Sequence, residues 1–516
     1  MICGGIVVQL KKLLEEFNSI EKELSVLQSI NMLLLWDRDV NLPKKAFEQR
    51  GDQESYISVK SHELITSKKL VTLVKQLSQK TYYNKLSEMD RKRIDLYNWK
   101  LRRLLKVPKK HVEELTKLTS EAHHAWKEAR KSESYKEFAP YLKKIFDMKK
   151  QEAKYVDAKA IPYNIMLEDY ERGITVQELD KIYSELKSEL MILLNKIKTS
   201  PNYAKINSSK LADMGVFPSD IQLEVCNDIV KRIMVDTERY MCALTIHPFM
   251  APISSDDYRV TTAVRADPMF SFSSTSHEAG HALYESNFDP RMRNTILVTF
   301  DSISIALHES QSKFWENFIC KSESFWKGYY PYYISKFTSI KRLSRDEFYT
   351  LTNSVKPSLV RIESDELTYS LHVIIRYEIE RDLLSNKIKV EDLEQVWNNK
   401  YKEYLGIVPD TPSRGVLQDS HWAGGSIGYF PTYVLGNIYS AMIYSAIKKA
   451  HPQLEQDIEK LDFTFIREWL KENIHKYGAS KTTKDIIKNA CGKDLDIQDF
   501  VSYLRIKYYK LYGIKE

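Results

Sequence analysis

His277 and His281 stand four residues apart with Glu278 between them, a His-Glu-x-x-His spacing that can hold a metal ion and activate water. On a helix, positions i and i+4 lie one above the other, so both imidazoles can reach a single cation. Glu278 then projects beside that cation and can accept a proton from water held there. A catalytic zinc site takes three protein ligands and keeps one position for water. A third histidine six residues beyond His281 is absent, because position 287 is Asn. Glu309, within His308-Glu309-Ser310-Gln311, lies downstream on its own expected helix, and a helix–loop–helix hairpin would bring it across from His281. Two imidazoles and a carboxylate suit Zn2+, and Co2+ fits the same set.

The elements that must carry these residues are helices. Val8, Leu10, Leu13, Leu14, Phe17, Ile20, Leu24, Leu27 and Ile30 recur at three- and four-residue steps, which predicts one helix over 8–34. Similar stripes predict helices over 53–80, 88–105, 110–131, 137–158 and 176–198. Asn41-Leu42-Pro43 and Val107-Pro108 punctuate them. Thr175-x-x-Glu178 reads as a capping box opening the 176–198 helix. Around 199–218, Ser, Pro, Asn and Lys cluster into a connection. Ser254 to Asp257 and the alternation through Tyr258-Arg259-Val260-Thr261-Thr262 predict a short strand or hairpin before the metal helix. Further helices are expected at 276–286, 302–320, 346–353, 357–384, 391–404, 432–449 and 463–476. Between them lies a Gly- and Pro-rich irregular stretch, 406–431.

Composition agrees with a helical body. The 516 residues include only 16 Gly and 16 Pro, below the average usage of about 7% and 5%. The net charge of +7 is spread over 77 basic and 70 acidic residues, too dilute for a nucleic-acid footprint. No run approaches the roughly 20 apolar residues of a membrane span. Cys3, Cys226, Cys242, Cys320 and Cys491 are scattered without a C-x-x-C spacing, which favours a reducing, cytoplasmic setting over a disulfide framework. The expected architecture is all-α with a small β element before the metal helix. It forms one catalytic unit over 1–516, with two lobes (about 1–200 and 215–516) around one cleft.

The block Ser276-His277-Glu278-Ala279-Gly280-His281-Ala282-Leu283-Tyr284-Glu285, followed by His308-Glu309-Ser310-Gln311-Ser312, resembles the carboxypeptidase Taq family of metallocarboxypeptidases. Its other signatures follow in order. His247-Pro248-Phe249 matches H-P-F, and Asp257-Tyr258-Arg259-Val260-Thr261 matches D-x-R-x-T. Gly415-Val416-Leu417-Gln418-Asp419-Ser420-His421-Trp422 matches G-x-x-Q-D-x-H-W and runs into Gly428-Tyr429-Phe430-Pro431-Thr432-Tyr433. The I-R-x-x-A-D element appears as Val360-Arg361-Ile362-Glu363-Ser364-Asp365, with Val for Ile and Ser for Ala. Leu35-Trp36-Asp37 and Asp169-Tyr170-Glu171-Arg172-Gly173 extend the resemblance into the N-terminal half.

The resemblance implies a large helical body enclosing a deep groove, like that of neurolysin-like metallopeptidases, and a homodimer. It implies His277, His281 and Glu309 as metal ligands, Glu278 as general base and peptides with a free C-terminus as substrates. The tetrahedral intermediate needs a hydrogen-bond donor for its oxyanion, for which Tyr429 is the first candidate, beside Tyr433 and His421. A terminal carboxylate suits the planar fork of an arginine, first Arg361, with Asp365 at i+4 to hold it, and second Arg259. Gln418, Asp419 and His247 are candidates to line the pocket or to orient the metal-binding imidazoles, and Asp301 and Glu285 compete for that second role. The main reading is a metal-dependent carboxypeptidase; the alternatives are a cleft oligopeptidase cutting internal bonds and a non-catalytic helical binding protein.

Overall fold

The structure, a computed structural model, describes residues 2–515, with side chains from residue 6 onward. A 39-residue helix, α1 (Ile2–Val40), opens the chain and gives way at Asn41-Leu42-Pro43. Phe47–Ile65, Glu88–Lys106, Lys109–Lys131 and Tyr135–Val156 follow. The stretch expected as one helix over 53–80 is broken at Thr66-Ser67, where Ser67 caps a new helix, Lys68–Leu77. In α2 (Val176–Lys198) Thr175 and Glu178 form the reciprocal capping box that their spacing predicts. Its stripe of Leu179, Tyr183, Leu186, Leu190, Leu194 and Ile197 is buried. Buried apolar side chains from Leu10 to Tyr512 belong to one contiguous cluster.

Three short strands precede the metal helix: β1 (Tyr240–Leu244), β2 (Met250–Ser254) and β3 (Asp257–Thr262). The order is β1-β3-β2, with β1 parallel to β3 and β2 antiparallel to it. A second, small apolar cluster of Trp36, Ala251 and Ile253 ties the end of α1 to this sheet. The metal helix, α3 (Pro268–Ser286), begins eight residues earlier than the expected 276. Asp267 accepts from Met269 N–H and Pro268 fills the first turn, a start signal the apolar pattern alone does not carry.

The expected helix over 302–320 is two pieces: α4 (Ile305–Lys313) and a π-helical turn, Phe314–Ile319. The N-terminus of α4 is gripped by the Asp169–Gly173 segment. Ile305 N–H donates to Tyr170 O (3.0 Å), Arg172 Nη2 to Ser302 O (3.0 Å) and Ser304 Oγ to the Glu171 carboxylate. Burial, outweighing bonds from Ser304 and Thr483, lifts the Glu171 pKa to about 6. A raised carboxyl pKa means the folded chain binds the proton more tightly, so its stability falls as pH rises from about 4.5 through 6. Glu171→Gln has no such group. Between pH 4 and pH 8 its urea stability is expected to gain on the natural chain by about 2 kcal/mol. Parallel pH dependences would refute this.

The expected helix over 357–384 starts only at Glu366, giving α5 (Glu366–Leu384) after a 3-10 turn at Arg361–Glu363. Asp365 is its N-cap and accepts from Leu367 and Thr368 N–H. Arg361 and Asp365 therefore do not share a helix face, and Asp365 spends its oxygens on the cap, Thr368 Oγ1 and Lys356 N–H. After the irregular stretch, α6 (Pro431–Ala450) packs along α4.

Candidate metal centre

Helix α4 lies between α3 and α6, and glycines on both neighbours set the distance. A Cβ at Gly280 would stand 2.6 Å from Gln311 O and 2.8 Å from Ser312 Cα, and one at Gly436 2.9 Å from Glu309 Cγ. The Gly of the His-Glu-Ala-Gly-His sequence is thus the point where α3 touches the backbone of α4, which puts Glu309 opposite both histidines. Because the obstacle to a methyl group is backbone, Gly280→Ala is expected to cost about 3 kcal/mol and to weaken metal retention. Thermal unfolding and metal analysis check this, and an unchanged Tm would contradict it.

Glu309 Oε2 lies 3.7 Å from His277 Nε2 and 3.5 Å from His281 Nε2, and one donor atom from each residue falls within a 4.8 Å set. Ligands about 2.0–2.2 Å from a tetrahedral zinc stand about 3.4 Å apart, so both separations from Glu309 suit such an ion. Glu309 Oε1 is buried and has no hydrogen-bond partner, an orphaned acceptor that a cation satisfies. Burial pushes the Glu309 carboxyl up, but the neighbouring His277 charge prevails and holds it at about 2. Burial lowers His281 to about 3, with His308 adding to the effect. Burial opposes a charge on His277 too, but Glu309 and Glu316 raise its pKa. Glu278 rises to about 7 through burial, against the pull of His277.

Around this triad the structure supplies a residue the spacing does not reveal. Glu316 accepts from, or pairs with, His277 Nδ1 at 2.9 Å and is held by Lys313 and Lys321, each at 2.9 Å. A carboxylate on the far ring nitrogen fixes the imidazole's orientation and raises its basicity. Glu285 and Asp301, two of the residues expected in this role, are elsewhere. Glu285 Oε1 meets His308 Nε2 at 2.9 Å, and that ring stacks on His281 with centroids 4.2 Å apart. Asp301 accepts from Lys100 and from Thr299 Oγ1.

The triad lies where two cavities meet. A large one, about 1320 Å³, is lined by His247, Arg361, Lys313 and Tyr369. A smaller one, about 430 Å³, is lined by Met32, Phe249, Phe300 and Tyr429. His277, Glu278, Glu309 and Tyr433 line both. Arg361 is buried; its Nε and Nη2 donate to Asp419 Oδ1 (3.1 and 2.7 Å) and its Nη1 to Tyr369 OH (3.0 Å). Those three bonds leave two of its five N–H donors.

Asp419 also accepts from Arg376 Nε at 2.6 Å, and the two cations hold its carboxyl well below the usual range despite burial. Arg376 belongs to a polar stripe on α5, Tyr369, His372, Arg376 and Glu380, set at three- and four-residue steps, of which Arg376 and Glu380 reach the irregular stretch while Tyr369 meets Arg361 and His372 meets Tyr401. Glu380 accepts from Trp422 Nε1 (2.7 Å) and Gly428 N–H (3.0 Å), fixing the turn that carries Tyr429.

Gln418 accepts from Arg361 N–H and its two amide hydrogens point among Leu359 O, Arg414 O and Gly415 O, each within 3.1 Å of Nε2, so it ties the Arg361 loop down and lines neither cavity. Arg259 pairs with Asp257 (2.9 Å) and lies over the Trp36 ring, lining neither cavity. His421 packs behind Tyr429 and Tyr433, with centroids 5.5 and 6.4 Å away, and burial lowers its pKa to about 4.

A mainly helical body with a His-His-Glu cage at the meeting point of two cavities defines a metallopeptidase of the cleft type. The family model of the carboxypeptidase Taq (M32) metallopeptidases matches residues 16–508. The chain belongs to this family and is a metallocarboxypeptidase. It is 36% identical over 501 residues to carboxypeptidase 1 of Bacillus subtilis, covering 96% of this chain and 98% of the relative. It is 34% identical over 478 residues to thermostable carboxypeptidase 1 of Pyrococcus furiosus, covering 92% and 94%. The crystal structure of the M32 carboxypeptidase from Deinococcus radiodurans superimposes with a TM-score of 0.93 at 32% identity, covering 98% of this chain and 100% of that one. No helix among the described residues is long and apolar enough to cross a membrane.

Proposed function

We propose that His277, His281 and Glu309 hold one divalent metal, zinc first and cobalt second, and that Glu278 is the general base in releasing C-terminal residues from peptides. The observation that carries the ligand assignment is the cage itself: three donor atoms within 4.8 Å of one another, two of the separations at 3.5 and 3.7 Å, with an orphaned carboxylate oxygen. When bound, the metal supplies Lewis acidity toward the scissile carbonyl and lowers the pKa of water. Glu278, on the cavity wall beside the cage, takes the proton of the attacking water and returns it to the leaving amine. Its free carboxyl, near pH 7, is drawn lower by a cation alongside, which keeps it in the base form.

Tyr429 and Tyr433 are the donors to the developing oxyanion. Both rings border the cage, and burial raises both pKa values, so the hydroxyls stay protonated. His421, behind them, positions these two rings. Arg361 anchors the substrate's terminal carboxylate through its two remaining N–H donors. It borders the cage-side cavity, whereas Arg259 is engaged on the sheet; His247 lines the same cavity, and Gln418 and Asp419 act by fixing Arg361. The N-terminal half (about 1–200) and the metal-bearing half (215–516) are read as walls of one cleft. A homodimer follows from the family likeness, and the four free thiols Cys226, Cys242, Cys320 and Cys491 fit a reducing cytoplasm.

The decisive experiment compares peptides with free and amidated C-termini on the metal-loaded enzyme. Free peptides are expected to lose one residue at a time and the amides to resist. Equal cleavage of both would support an oligopeptidase instead.

A further inference from the structure

The two cavities beside the cage differ in their cations. The larger one carries seven, among them Lys313, Lys321, Arg361, Arg265 and Lys356, alongside seven acidic residues. Among the described residues the smaller one has no Lys or Arg in its wall, and Glu285 joins the Glu278 and Glu309 that border both cavities. A terminal carboxylate needs a cation one residue beyond the scissile bond, so it belongs in the larger cavity. The residue before the scissile bond then enters the smaller one.

That wall carries an unusual feature. Phe300 is 47% exposed, yet it stands at the crossing of three cavities: the small one, a neighbouring one of about 660 Å³ and a third of about 470 Å³. A single exposed apolar side chain on an open surface needs no explanation. One placed at a junction of clefts is positioned to be covered. Its ring sits edge-on to His308, with centroids 5.8 Å apart, and His308 in turn stacks on the ligand His281. Across from it, α1 contributes Met32, held there by the Trp36 cluster between α1 and β2. Phe249, Met250 and Ile305 complete an apolar lining.

We propose that Phe300 and Met32 form the subsite for the penultimate residue of the substrate, and that this subsite selects large apolar side chains and rejects acidic ones. The assignment rests on the carboxypeptidase reading with Arg361 as anchor, because that fixes which cavity takes which side of the bond. The 660 Å³ cavity, which shares Gln28, Pro252, Glu285 and Phe300 with the small one, continues the path for the preceding residues.

The test uses acetylated tripeptides Ac-Ala-X-Ala with X as Phe, Leu, Ala or Glu, on the metal-loaded full chain. Phe and Leu are expected to exceed Ala in kcat/KM by about tenfold or more, with Glu lowest. Phe300→Ala is expected to shrink the Phe-to-Ala ratio below about threefold, and Met32→Ala to reduce it less. Met32→Lys, which adds the missing cation, is expected to raise Glu relative to Ala. A flat preference in the natural chain overturns the proposal, as does a ratio that survives both alanine substitutions with metal content intact. If the substitutions instead change selectivity in the series Ac-Ala-Ala-X, the cavities are assigned the wrong way round. Amides of the same peptides show separately whether the anchoring reading fails: rapid cleavage of the amides by the natural chain removes it, and the subsite assignment with it.

Discussion

Glu278→Gln is expected to leave a folded, metal-loaded protein whose kcat is lower by about three orders of magnitude or more. The side chain keeps its length and its place on α3, one position from His277, so the cage of His277, His281 and Glu309 is undisturbed. In the proposed mechanism, what disappears is the oxygen that accepts a proton from water and later delivers it to the leaving nitrogen. Those two transfers use the same group, so one substitution removes both. Burial raises the Glu278 carboxyl to about 7 in the metal-free chain, so the group is costly to ionise there, and the amide relieves that cost. Stability without metal is therefore expected to hold or rise while turnover collapses. The measurement is kcat on a C-terminally free peptide alongside metal content by elemental analysis. Substantial turnover at full metal occupancy would remove Glu278 from the role of base.

Much of this candidate site is legible in the sequence, and the reason is local. His277, Glu278 and His281 lie within one helical turn and a half, and Glu309 follows after a single hairpin, so periodicity alone brings them together. Residues reached through irregular backbone are another matter. Asp365, four residues after Arg361, looks like a partner on a helix, but the helix begins with Asp365 as its cap, and the ion pair runs instead to Asp419. Glu316 escaped because the π turn at Phe314–Ile319 changes the register by which a face is counted. Glu285 was expected near a metal-binding imidazole and is one ring removed, on His308.

The same logic covers the fold. The α2 stripe and capping box were legible, since propensity, pattern and cap agree. The break at Thr66-Ser67 was not, because the apolar steps continue across it. The wall that α1 lends to the cleft depends on the Trp36 cluster with β2, a contact across some two hundred residues that no local pattern encodes.

Glu309→Gln and His281→Ala are expected to fail differently from the base variant, by losing the metal itself. Glu309 supplies the only carboxylate in the cage, and His281 one of its two imidazoles. An amide oxygen in place of the carboxylate binds without charge, and an alanine does not bind at all, leaving two ligands where a catalytic zinc site takes three. Affinity should fall beyond the 10- to 100-fold typical of losing a supporting group such as Glu316. The readout need not be activity. A metal that binds only the folded chain stabilises it by about 4 kcal/mol when present at a thousand times its Kd. The natural chain and Glu278→Gln should therefore both show a rise in Tm when metal is added to dialysed protein. Glu309→Gln and His281→Ala should show little or none. A full Tm response in either ligand variant would place the ion elsewhere. A missing response in Glu278→Gln would mean that its side chain helps hold the ion and does not act on water alone.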